Sequence, residues 1–147
     1  MTAGKTLLVA LGSAVLTSAI VVAQGNPAGM ATIPLSEVKW VAQPNGLLTA
    51  ALLGDPNKPG PYLQLVKWPP NTKLLAHKHP DARYGMVITG THYVGEGDKF
   101  DEAKLNAHPV GTYFTEPANT PHFGMTKGEG AVLYFYGIGP SGTTPLQ

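Results

Sequence analysis

The 147 residues carry 10 basic against 9 acidic side chains and no cysteine, which excludes disulfide stapling, thiolate metal sites and cysteine nucleophiles. Such a balance offers no basic surface for nucleic acid. Eighteen glycines and 14 prolines, with only 13% charged residues, are the composition of short strands joined by tight turns, and the length fits one domain.

In chain order, Lys5 precedes an uncharged run over residues 6–23, and small residues stand at Val21 and Ala23. That pattern predicts a signal peptide over 1–23, removed before Gln24, and an exported, periplasmic or secreted protein free of the membrane after processing. The alternative is an uncleaved anchor, because about eighteen apolar residues can just span a bilayer. Residues 24–32 read as a flexible lead-in, and 33–147 as an all-β barrel domain. Strands are expected over Ile33–Val41, Leu47–Leu53, Pro61–Trp68, Lys73–His79, Tyr84–Thr89, His92–Val94, Gly111–Thr115, His122–Thr126 and Ala131–Gly137. Between them lie turn signals such as Pro44-Asn45-Gly46, Pro69-Pro70-Asn71 and Gly128-Glu129-Gly130. Only residues 100–105 suggest a helical turn, capped by Asp98.

The chemistry lies between Asn71 and His122. Side chains alternate faces along a strand, so His77 and His79 point the same way and suit two ligands of one metal. A third ligand must come from elsewhere, and His122, after the turn Pro117-Ala118-Asn119-Thr120-Pro121, is the natural candidate. Without a third histidine, His77-Lys78-His79 before Pro80 would read as an exposed polar turn.

The segment NTKLLAHKHPDARYGMVITG resembles the first cupin motif, with His77, His79 and Gly90 at matching spacings. The segment GTYFTEPANTPHFGM resembles the second, through Gly111, Pro117 and His122. The resemblance implies a single-domain cupin, a double-stranded β-helix or jelly roll, holding one divalent ion (Fe, Zn, Mn, Cu or Ni) at His77, His79 and His122. It also implies a small-molecule ligand or substrate and a homodimer. Two motif glycines are replaced by Asn71 and Asn119, the non-glycine residue best suited to a left-handed backbone. The glutamate expected as a fourth ligand is Arg83, which has no lone pair to donate. By motif spacing, Arg83 points at the metal and would orient an anionic substrate; otherwise it swings outward to pair with Asp81.

The remaining candidates have plainer readings. His92 and His108 lack ligand spacing and fit surface or packing roles. Trp40, Trp68, Tyr113, Phe114, Phe123, Tyr134, Phe135 and Tyr136 fit barrel core or pocket lining, and Asp98, Asp101 and Glu102 a solvated helix start. Three function classes remain open: a dioxygenase-type oxidoreductase acting on a small acidic or enolisable compound; a metal-dependent lyase, isomerase or hydrolase; and a non-catalytic small-molecule-binding cupin.

Overall fold

A computed structural model describes residues 29–146, so the signal-peptide reading of 1–23 and most of the lead-in lie outside the described residues. The strands are β1 (Val41–Ala42), β2 (Leu48–Leu53), β3 (Gly60–Trp68), β4 (Lys73–Lys78), β5 (Arg83–Gly90), β6 (His92–Glu96), β7 (Asn106–His108), β8 (Tyr113–Glu116), β9 (His122–Met125), β10 (Ala131–Gly139) and β11 (Thr144–Pro145). Two antiparallel sheets result, one ordered β1-β2-β3-β10-β5-β8 and the other β11-β4-β9-β6-β7. The only helices among the described residues are two single 3-10 turns.

The alternating strand pattern explains the packing. Val87, Phe114, Leu133 and Phe135 face inward with Leu47, Val66 and Trp68, and form the buried cluster; each large apolar side chain buried in this way contributes roughly 1.5–3 kcal/mol. Gly85 sits where a Cβ would stand 2.4 Å from the Phe114 ring, so glycine there lets strand and ring approach. Tyr62 is buried as fully as any core residue and donates its hydroxyl to Asp81 at 2.6 Å.

Several expectations are revised. Over residues 33–41 only Val41 is in a strand, with a 3-10 turn at Leu35–Glu37; residues 33–37 are exposed and have no neighbouring strand. The helical turn is Glu102–Lys104, and its cap is Asp101, which accepts from the Ala103 N–H at 3.0 Å, rather than Asp98. Tyr113 is 60% exposed on β8 and lines no core. The expected glycine substitutes behave as glycines would: Asn71 has φ 55° and Asn119 φ 58°.

Candidate metal centre

The barrel brings the two histidine-bearing segments together through strand pairing. β4 and β9 are neighbours, and His77 lies opposite His122 in register. His79, one residue beyond β4, faces the same interior, and all three rings are buried. Ring centroids are 4.4 Å apart for His77 and His122, 5.0 Å for His77 and His79, and 5.1 Å for His79 and His122. One nitrogen from each lies within 4.8 Å of the others.

Backbone carbonyls set the tautomers. His77 Nδ1–H donates to Leu75 O at 2.7 Å, His79 Nδ1–H to Gly142 O at 2.6 Å and His122 Nδ1–H to Thr120 O at 3.0 Å. A nitrogen facing a carbonyl must carry the proton, so Nε2 is the atom each ring turns to the interior and the one that offers a lone pair to a metal when the ring is neutral. Burial pushes the His77 pKa down to about 4. Burial and then the Arg83 charge push His79 down to about 3, so both rings are neutral at pH 7. Nε2 of His122 is buried with no hydrogen-bond partner. Three oriented imidazoles whose Nε2 atoms face one side fit a divalent first-row metal.

The opposite sheet supplies a charged pair. The turn through Pro80-Asp81-Ala82 carries the chain from one sheet to the other, and Arg83 opens β5 opposite Glu116, the last residue of β8. Arg83 Nε donates to Glu116 Oε2 at 2.8 Å, and Nη2 donates to the same oxygen and to His79 Nε2. The guanidinium also lies 4.6 Å from the centre of the Phe135 ring. Arg83 therefore points inward. Its alternative partner, Asp81, is engaged by Tyr62 and by Ser141 Oγ at 2.7 Å.

Glu116 is the residue the sequence reading missed. Its carboxylate is 7% exposed, and Oε2 stands 3.7 Å from His122 Nε2 and 3.9 Å from His79 Nε2. Burial alone would raise its pKa, but the Arg83 charge and its hydrogen bonds outweigh burial and hold it at about 2. One signal was available: in β8, residue 116 shares the inward face of Phe114, and a carboxylate there requires a partner.

The site opens into a cavity of about 530 Å³, lined on its apolar side by Leu47, Val66, Leu74 and Phe135, and by Trp68 and His92. That is the size of pockets that take small organic molecules. His92 and His108 are cross-strand partners outside the convergent trio. His92 is buried with its ring 4.8 Å from that of Trp68, whereas His108 is half-buried.

Two antiparallel sheets closed around three convergent histidines are the architecture of a cupin. The chain belongs to the family described as the ChrR cupin-like domain, whose model matches residues 28–142. Among curated proteins, none matches the chain in sequence. The fold is shared with the polyketide cyclase RemF from Streptomyces resistomycificus at TM-score 0.61 and 17% identity, over 80% of this chain and 83% of that one. It is shared with a structure from work on the DMSP lyases RdDddP and RnDddQII at 0.56 and 18%, over 70% of this chain and 57% of that one. Salicylate 1,2-dioxygenase from Pseudoaminobacter salicylatoxidans gives 0.56 and 13%, over 70% of this chain but 31% of that one. At these identities the likeness establishes the fold and leaves the chemistry to the site.

Proposed function

We propose that this chain is an exported, metal-dependent cupin that holds one divalent ion at His77, His79 and His122 and acts as a dioxygenase-type oxidoreductase on a small acidic or enolisable compound. The observation that carries the reading is the set of three carbonyl-fixed histidines with Nε2 atoms facing a largely apolar cavity. A bound ion would supply Lewis acidity and, for a redox-active metal, dioxygen chemistry. The chain's own residues do the rest. Leu47, Val66, Leu74 and Phe135 bury the substrate's ring or chain and exclude water. Arg83 lines the same cavity and orients the substrate's anionic group, while Glu116 moderates the positive charge beside it.

The test is elemental analysis of protein recovered from its own exported compartment, followed by oxygen uptake with a panel of phenolic and enolic acids. One equivalent of a redox-active metal per chain, with substrate-dependent uptake, is expected. One equivalent of zinc without uptake would overturn the oxidoreductase reading in favour of lyase, isomerase, hydrolase or simple binding. No stoichiometric metal would overturn the metal reading itself. Intact mass on the same material tests export, with a start near Gln24 expected and a full-length, membrane-bound chain contradicting it.

A further inference from the structure

The geometry points to Glu116 as a fourth ligand of the metal, supplied by β8 because Arg83 occupies the β5 position opposite it. This inference rests on the metal reading above. Arg83 and Glu116 are direct cross-strand partners, so exchanging acid for base between them moves a carboxylate from one strand to the next without taking it out of the site. Donor atoms about 2.1 Å from a common ion stand roughly 3–3.5 Å apart. Glu116 Oε2 is 3.7 Å from His122 Nε2 and 3.9 Å from His79 Nε2, while the three histidine donors span up to 4.8 Å among themselves. The carboxylate stands within 4 Å of two of the three histidine donors, so a few tenths of an ångström bring it to ligand spacing from His79 and His122, while the histidine donors themselves, up to 4.8 Å apart, must draw in by about an ångström around an ion.

A carboxylate present only to neutralise Arg83 has no need to approach two imidazole lone pairs. The contacts of Arg83 instead resemble those of a cation among ligands: Nη2 donates to His79 Nε2 and to Glu116 Oε2, two of the atoms a metal would use. Loading then requires the guanidinium to leave the His79 lone pair, and its Nε contact with Glu116 gives it a place to remain beside the ligand carboxylate. Arg83 is accordingly a competitor for part of the metal's coordination shell as well as the positioning partner of Glu116.

The experiment uses cobalt(II), whose visible absorption reports the number and type of ligands, together with its dissociation constant from chelator competition. The full chain is compared with Arg83→Gln, Arg83→Gln/Glu116→Gln and the exchange variant Arg83→Glu/Glu116→Arg. If Glu116 is a ligand, Arg83→Gln binds cobalt at least as tightly as the parent. Adding Glu116→Gln, which leaves no charge unpaired in the pair, then weakens binding by at least ~10-fold and changes the spectrum, since even groups that only support a ligand are typically worth 10–100-fold. The exchange variant recovers both affinity and spectrum. If Arg83→Gln and the double variant share one spectrum, the assignment is overturned even where affinity falls, because a carboxylate outside the coordination shell alters attraction but not the ligand field. If the parent itself binds no cobalt, the metal reading fails, and the assignment fails with it. That outcome is distinct from binding with an unchanged spectrum.

Discussion

Two groups of histidines lie in the barrel and are built differently: His77, His79 and His122 line the cavity together with His92, whereas His108, the cross-strand partner of His92, is half-buried outside it. His77, His79 and His122 each give Nδ1–H to a backbone carbonyl and turn Nε2 inward. In His92 both ring nitrogens are buried without a hydrogen-bond partner, as are Nδ1 of His108 and Nε1 of Trp68. The first group is held by the strand ends and by the segment after β10, through Gly142. The second packs as aromatic rings do, His92 lying 6.0 Å from Phe114 and His108 5.4 Å from it. The difference teaches that burial and number of imidazoles do not by themselves suit a ring to hold a metal; backbone acceptors that fix tautomer and direction do. It also leaves unpaired polar atoms at the apolar end of the cavity, each costing about 1–3 kcal/mol unless something bonds to it.

The largest effect separating the two regions is expected at Arg83. In metal-free protein, Arg83→Ala strands the buried Glu116 carboxylate without its cation and should cost about 3–5 kcal/mol in denaturant unfolding, with excess zinc recovering much of the loss. A loss below about 1 kcal/mol would show that the pair is solvated and the site looser than described.

Next come the three histidines proposed to hold the ion. His77→Ala, His79→Ala and His122→Ala should each weaken zinc or cobalt binding by at least ~100-fold, more than the loss of a merely supporting group, while His92→Ala and His108→Ala change it by less than about threefold. Chelator competition on all five would erase the comparison if they behaved alike.

Much of this site was legible in the sequence because its determinants are local. Strand alternation aimed His77 and His79 together, and the turn residues Asn71 and Asn119 marked left-handed positions that the backbone does adopt. His122 could be reached through two short motifs. For Glu116 alternation in β8 could signal only an inward carboxylate; its partner depends on the register of β5 against β8, 33 residues apart, and nothing in the local sequence encodes that pairing. The same cause misdirected the alternative reading of Arg83: Asp81 is near in sequence, but Tyr62 and Ser141, remote in sequence, hold it. The short edge strands β7 and β11 were missed because two or three residues carry no readable period.

A smaller effect concerns acid stability. Burial lowers the pKa of His92 from 6.5 to about 4. The folded value lies below the unfolded one, so the stability associated with the neutral ring is complete above about pH 6.5 and is lost as pH falls towards 4. The slope reaches about 1.4 kcal/mol per pH unit for one group. In metal-free protein His77 and His79 act in the same direction, and His92→Phe should remove one share of the slope while leaving theirs. Parallel stability curves for parent and variant between pH 6.5 and 4 would mean that His92 is solvated rather than packed against Trp68.

The smallest effect contrasts two asparagines of like conformation. Asn71 and Asn119 both hold positive φ, where a residue with a Cβ is disfavoured by roughly 1–2 kcal/mol. Alanine at either position should cost about 1 kcal/mol, and glycine a few tenths at most. Their effects on the metal should differ. The Asn119 N–H donates to the His79 carbonyl at 2.7 Å, and the turn runs directly into His122, whose ring is fixed by Thr120 O; a shift there moves two of the proposed ligands. Asn71 donates to Lys127 O at 3.0 Å, six residues ahead of His77 and at the far end of β4. Asn119→Ala should therefore weaken cobalt binding about three- to tenfold beyond its stability cost, on the order of a disturbed supporting contact, whereas Asn71→Ala should leave affinity unchanged. Equal affinities in the two variants would show that His122 is positioned by its strand alone and that the turn contributes only to folding.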